Sequence, residues 1–197
     1  MKHAIAHLKR SDPVLAHIIE RVGPYRIEYR EPDFSALARA IVFQQLNGRA
    51  AATIFSRTLA ALGTRRITPR AVLRAPVRTL RAAGLSAAKA AYLRDLAEKT
   101  AAGAIRFTRF SDMSDDEVVA ALTQVKGIGV WTAHMFLIFA LRRPDVLAVG
   151  DYGIRAAVKK AYGLEELPKA AEMERIARPW RPYASVACWY LWRSLQR

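Results

Sequence analysis

The chain has 197 residues, 52% hydrophobic and 25% charged, enough to bury a core without a metal or a disulfide. Against 17 Asp and Glu stand 32 Lys and Arg, a net charge of +15 that suits a polyanionic partner. The one cysteine, Cys188, excludes an intramolecular disulfide and a four-cysteine iron–sulfur cluster, and fits a reducing cytosol.

Asp12-Pro13 reads as a helix start, with Asp as N-cap and Pro in the first turn, leading through Val14, Leu15, Ile18 and Ile19 to a break at Gly23-Pro24. Tyr25 to Arg30 alternates and can be extended, but is too short to found a sheet. Asp33 begins a longer helix in which Leu37, Ala40, Ile41 and Gln44 recur at helical spacing, ending near Leu46-Asn47-Gly48. Gln45, Leu46 and Asn47 therefore fall on a helix-to-helix turn. On the residues alone, Gln44 and Asn47 can simply cap helix ends and Leu46 can be core.

Ala50 to Leu62 is a further helix closed by Gly63, and Thr68-Pro69 and Ala75-Pro76 open two short ones. Gly84-Leu85-Ser86 turns into a helix from Ala87 to about Ala101, and reads either as a corner capped by Ser86 or as a further phosphate contact. From Phe34 to Arg94 there is no acidic residue, while Arg39, Arg49, Arg57, Arg65, Arg66, Arg70, Arg74, Arg78, Arg81, Lys89 and Arg94 all lie there. A solvated face normally mixes signs, so this span predicts a surface that follows a phosphate backbone and releases it as salt rises.

Ser114-Asp115-Asp116-Glu117 is a capping-box pattern and starts a helix running to about Leu122 or Thr123. Gly127 and Gly129 permit a tight turn, and the apolar segment from Trp131 to Leu141 resumes as a helix. The amides of Gly127, Gly129 and Val130 then stand at that helix's amino end, where free N–H groups and the helix dipole suit a phosphate. Lys126 beside them reads as a second phosphate contact, although Gly-x-Gly between helices can be only a turn. His134 and Arg142-Arg143-Pro144 bound this stretch below transmembrane length, and Met1–His7 lacks the apolar core of a signal peptide. A soluble cytoplasmic protein, nucleoid-associated if bacterial, is expected.

Asp145 to Gly150 is a loop, and Asp151 opens a helix to about Tyr162. Pro168 starts another, and Pro179 and Pro182 introduce a terminal helix through Trp189 and Trp192. Roughly ten helices and no convincing sheet make the fold all-α. By position alone Asp151 is a helix N-cap. The four histidines have no metal-ligand spacing with Cys188, so no zinc site is expected.

Several stretches occur together and in order: Phe43-Gln44-Gln45-Leu46-Asn47; Leu80 to Ser86 with Lys89 and Tyr92-Leu93; Val125-Lys126-Gly127-Ile128-Gly129-Val130-Trp131-Thr132-Ala133; Asp145-Val146 with Val149-Gly150-Asp151-Tyr152; and Arg178 to Ala184. This set resembles the helix-hairpin-helix DNA glycosylases, and within them the 3-methyladenine DNA glycosylase II, or AlkA-type, branch. The resemblance implies a two-lobed helical bundle with the active site in the cleft between lobes. Residues 1–197 would form one glycosylase domain without a separate amino-terminal β domain, a monomer acting on double-stranded DNA that carries a damaged base.

The same resemblance places the catalytic aspartate at Asp151. A carboxylate facing C1′ of an extruded nucleotide stabilises the oxocarbenium character that develops as the N-glycosidic bond breaks, and can orient the attacking water. Sugar hydrolases need a second acid to protonate the leaving oxygen, whereas 3-methyladenine and 7-methylguanine leave from a cationic nucleoside. The resemblance further implies that Gln45 fills the vacated stack and that Asn47 contacts the minor groove. Relatives often carry leucine where Gln45 stands, so either Gln45 or Leu46 is the wedge.

By matched position the base pocket comprises Trp131, Tyr152 and Trp189, electron-rich faces for a cationic base, each of which can equally be core. Met135 stands where the bacterial relative has tyrosine, which implies a wider pocket. Bifunctional relatives place a lysine nucleophile where this chain has Trp131, so no lyase step is expected. The family hairpin often binds a monovalent cation through main-chain carbonyls, here those of Thr123, Val125 and Gly127. The function implied is monofunctional excision of alkylated purines in base-excision repair. The alternatives are a glycosylase for uracil, hypoxanthine or an oxidised purine, and a noncatalytic DNA-binding module.

Overall fold

The computed structural model describes residues 1–196, and every regular element among them is a helix. They are α1 (Lys2–Ser11), α2 (Pro13–Val22), α3 (Phe34–Phe43), α4 (Gly48–Leu62), α5 (Pro69–Arg74), α6 (Val77–Ala82), α7 (Ala87–Ala101), α8 (Asp115–Thr123), α9 (Val130–Phe139), α10 (Tyr152–Tyr162), α11 (Ala170–Ala177) and α12 (Ala184–Ser194). Turns of 3-10 helix lie at Phe107–Asp112 and Arg178–Trp180. Among the described residues no helix is long and apolar enough to cross a membrane.

Side-chain caps place most of these starts. Asp12, Asp33, Asn47, Thr68, Ser86 and Asp151 each accept the N–H three residues on, satisfying an amide that the helix leaves without a partner. Ser114 and Glu117 form the reciprocal box at α8. Helix α1 has no such signal: Met1 offers no capping side chain, and the helix buries only Ala4 and Leu8. Helix α3 stops at Phe43 rather than near Leu46, and α4 begins at Gly48, before Ala50.

The chain divides into two compact units, one spanning Arg30–Phe136 and the other joining Met1–Tyr29 to the chain from Leu137 onward. In the first unit α3 packs on α4 and α7, and α5 and α6 pack on α7, around fully buried Leu37, Ile41, Val42, Leu80, Leu93 and Leu96. The Phe107 ring meets Phe34, Phe110 and Phe136 edge-on, an aromatic cluster that seats the 3-10 turn.

The acid-free span is not one uniform DNA-facing surface. The Arg39 guanidinium lies 3.6 Å from the Phe43 ring centroid, Arg66 pairs with Asp33, and Arg81 and Arg94 donate to the carbonyls of Leu85 and Ala75. These cations serve the fold, stacking on rings or closing helix ends. Arg49, Arg57, Arg65, Arg70, Arg74 and Arg78 are exposed.

In the second unit α12 packs on α1, α2 and α10. Asp12 is its buried tie: Oδ1 caps α2 through Leu15 N–H, while Oδ2 accepts from Trp180 Nε1 at 2.8 Å and from the Tyr162 hydroxyl. A buried carboxylate is tolerated only when donors replace its lost water, and here there are three. Burial and the adjacent carboxylate hold the Tyr162 phenol above its usual pKa.

Candidate active site and nucleic-acid interface

The loop ahead of Asp151 is fastened to the start of α12. Asp145 accepts from Ala184 N–H and from Arg181, both at 3.1 Å. The Ser185 hydroxyl donates to the Arg143 carbonyl at 2.7 Å and accepts Val146 N–H at 2.9 Å. Asp145 is therefore engaged in holding the loop. Cys188 packs behind it with its thiol 3.8 Å from the Val146 carbonyl, and burial pushes that thiol's pKa up to about 12.

Asp151 is 8% exposed. Its Oδ1 accepts Ile154 N–H at 2.8 Å, as an N-cap should, and also the Trp192 indole N–H at 2.9 Å. The indole is stacked on Phe139, centroids 5.6 Å apart and planes 27° from parallel, which fixes the direction of that N–H. Gly153 makes the room: a Cβ there would sit 3.1 Å from Asp151 Oδ1 and 3.3 Å from Trp192 Cδ1. The cap seen in the sequence is real, and the carboxylate has a second partner that local reading misses. Trp192 lies one turn beyond Trp189 on the same helix, so periodicity marks it as a neighbour, but the destination of its N–H is nonlocal.

The aromatic candidates differ in exposure. Tyr152, next to Asp151, is 71% exposed and Trp131, in the first turn of α9, is 46% exposed. Met135 follows Trp131 one turn along α9 and is half-buried. Trp189 is only 6% exposed, with its ring 4.6 Å from that of Tyr25 and 4.9 Å from that of Tyr190. A cavity of about 390 Å³ opens beside it, lined by Val22, Pro24, Arg26, Trp189, Arg193 and Gln196. Two guanidiniums at its edge make this cavity electropositive.

In the Arg30–Phe136 unit, α8 ends at Thr123 and the hairpin follows, with Ile128 N–H donating to the Val125 carbonyl at 3.0 Å. Gly127 has φ +78°, and a Cβ there would lie 2.1 Å from the Tyr92 ring, so both backbone and packing require glycine. Nothing lies within 4 Å of a Cβ built at Gly129, which leaves that side of the hairpin open to a close approach. Val130, the first residue of α9, is exposed, as is Lys126. The main-chain N–H of Lys126 is engaged by Asp95 at 2.9 Å.

The turn after α3 belongs to the same unit. Gln45 is exposed with φ +54°, Leu46 is exposed, and Asn47 caps α4 through Oδ1, so a groove contact by Asn47 falls to its Nδ2. Gln44 donates from Nε2 to the Gly127 carbonyl at 2.8 Å, which brings the turn and the hairpin together.

A glycine-shaped hairpin thus stands between two helices, an exposed turn is tied to it, and a capped carboxylate opens a later helix. The chain matches the model of the HhH-GPD superfamily of base excision DNA repair proteins over residues 38–182, and it belongs to that superfamily. It is 34% identical over 194 residues to DNA-3-methyladenine glycosylase 1 of Schizosaccharomyces pombe, covering 95% of this chain and 85% of that one. The structure of the 3-methyladenine DNA glycosylase of the same yeast in complex with abasic DNA superimposes with a TM-score of 0.88 at 33% identity, over 99% of this chain and 97% of that one. A DNA-3-methyladenine glycosidase from Bacillus halodurans gives 0.86 at 35% identity, over 96% and 87%.

Proposed function

We propose that this protein is a monofunctional DNA glycosylase of the 3-methyladenine DNA glycosylase II type. It hydrolyses the N-glycosidic bond of alkylated purines such as 3-methyladenine and 7-methylguanine in double-stranded DNA, initiating base-excision repair. The observation that carries the reading is Asp151, a buried carboxylate whose orientation is set by the α10 amide and the Trp192 indole together. An anion fixed in a partly desolvated site stabilises the positive charge that grows on the deoxyribose as the bond breaks. The alkylated purine departs as a neutral base, so its own positive charge takes the place of a general acid. Water completes the substitution: its oxygen bonds to C1′, the bonding pair of the N-glycosidic bond leaves with the base, and the proton that the water sheds passes to solvent.

Trp131 and Tyr152 offer exposed aromatic faces, which attract a cationic base. The cavity beside Trp189, bordered by Arg26 and Arg193, has the opposite electrostatic preference, so Trp131 and Tyr152 are the stronger candidates for the base itself. The absence of a lyase step is supported by Trp131 standing where bifunctional relatives have lysine. The exposed turn supplies the wedge, and the left-handed backbone at Gln45 favours Gln45 as its tip. Lys126, Gly127, Gly129 and Val130 supply the phosphate grip.

The carbonyls of Thr123, Val125 and Gly127 would hold a monovalent cation, which would add positive charge beneath a bound phosphate. The Val125 and Gly127 carbonyls each accept a hydrogen bond, from Ile128 N–H and from Gln44, and because a carbonyl has two lone pairs these bonds leave each oxygen a second pair to offer such an ion.

The test is to incubate the protein with DNA treated with a methylating agent and to chromatograph the small molecules released. Free 3-methyladenine and 7-methylguanine, with no strand cleavage and no borohydride-trapped adduct, are expected. Release of uracil, hypoxanthine or 8-oxoguanine from single-lesion duplexes, without release of methylated purines, would overturn the assignment.

A further inference from the structure

Helix α7 carries groups that reach both DNA-facing loops of its unit. Lys89 Nζ donates to the carbonyls of Val42 and Gln44, each at 2.7 Å, where α3 ends and the turn bearing Gln45 and Leu46 begins. Carbonyls at a helix's carboxyl end lack intrahelical donors and carry its negative pole, so an ammonium there satisfies two needs. Tyr92 packs its ring into the space that Gly127 leaves open. Asp95 accepts Lys126 N–H at 2.9 Å with one oxygen and pairs with Lys99 at 2.6 Å with the other. Residues 89, 92 and 95 follow one another at intervals of three along α7, so a single face of the helix serves both loops. The Gln44 side chain closes the arrangement through its 2.8 Å bond to the Gly127 carbonyl.

We propose that Lys89 is a positioning residue for nucleotide extrusion: by clamping the carbonyls on either side of Phe43 it fixes the wedge turn and, through Gln44, joins it to the hairpin as one rigid body. The inference rests on the glycosylase reading. Gln45 occupies a left-handed backbone region that L residues adopt only when their surroundings enforce it, and the Lys89 clamp immediately precedes it. Partial burial lowers the pKa of the Lys89 ammonium, consistent with a side chain turned inward to the two carbonyls. A wedge has to resist the duplex as it closes back on the vacated stack. A turn that gives way under that load lets the nucleotide return, whereas a braced turn keeps it out.

Lys89 has no part in bond cleavage, so its effect should depend on how hard the base is to extrude. Single-turnover release of 7-methylguanine is measured from two duplexes, one with the lesion opposite cytosine and one with it opposite an abasic site. Lys89→Met is expected to slow release from the paired site by about tenfold or more and from the unpaired site by no more than about threefold. Lys89→Arg, which keeps a cationic donor, restores most of the paired-site rate. Gln44→Leu cuts the tie from the other end, shows the same selectivity, and decides the matter if Lys89→Met fails to fold. The double variant is expected to match the slower single variant, because both break one brace. Equal losses on the two duplexes, or no loss on the paired one, overturn the proposal. Failure of the wild type to release base from either duplex strikes the glycosylase reading instead.

Discussion

Asp151 and the hairpin around Gly127 are both firmly held, but by different kinds of bond. Around Asp151 the deciding partner is a side chain, the Trp192 indole, aimed by its stack on Phe139 and given room by Gly153. Around the hairpin and the wedge turn the main chain is what is held: Lys89 takes two carbonyls, Asp95 takes the Lys126 amide, and Gln44 takes the Gly127 carbonyl. Side-chain bonds place one oxygen, whereas main-chain bonds set the path of a loop. On the proposed reading Asp151 needs the first, because its carboxylate would meet one carbon of the sugar, and the hairpin needs the second, because it would follow the contour of a backbone common to every sequence.

Substitutions on each side should separate rate from binding. Asp151→Asn keeps the N-cap and the acceptor for Trp192 while removing the charge. Base release should fall by about 10²–10³-fold, with affinity for abasic duplex within a few-fold of wild type, as single-turnover assay and fluorescence anisotropy will show. A wild-type rate would reduce Asp151 to a cap. Gly127→Ala attacks the other side. Its φ of +78° and the 2.1 Å approach to Tyr92 predict a loss of about 1–3 kcal/mol from backbone strain, with overpacking adding a comparable amount. Thermal melting should report that loss, and duplex affinity should fall with it.

Trp192→Phe removes the indole N–H and keeps a ring against Phe139. A hydrogen bond to a charged group is typically worth more than a neutral one, so release should slow by about tenfold with DNA affinity unchanged. A change in affinity without a change in rate would erase the proposed division. Lys126→Ala should have the smallest effect. The slope of log affinity against log salt should become shallower by about one, with a nearly unaltered rate at saturating protein.

The helices were legible wherever their own ends carry the signal: Asp12-Pro13, Asp33, Ser86, the Ser114–Glu117 box and Asp151 all cap as their side chains suggest. Helix α1 escaped because it forms by packing Ala4 and Leu8, with no capping side chain to announce it. The hairpin turn and the Asp151 cap could be read locally, from glycine spacing and a carboxylate at a helix start, whereas a catalytic role for Asp151 came only from the resemblance to a family. Trp192 as the partner of Asp151, and Lys89 as a clamp on α3, could not, since each depends on where a donor 41 or 47 residues away comes to rest. The acid-free span misled in part for the same reason. Composition counts cations, but only the fold shows that Arg39 lies over Phe43 and that Arg94 closes onto Ala75.

Asp12 joins the beginning of the chain to Trp180, 168 residues later. A ribosome releases these partners in order, so α1 and α2 emerge long before the indole and phenol that complete their buried carboxylate. The Arg30–Phe136 stretch, a compact unit continuous in sequence, can settle while synthesis continues, as such regions of nascent chains generally do. The buried carboxylate of Asp12 gains its last donor only once Trp180 has been made, so this tie closes late in synthesis.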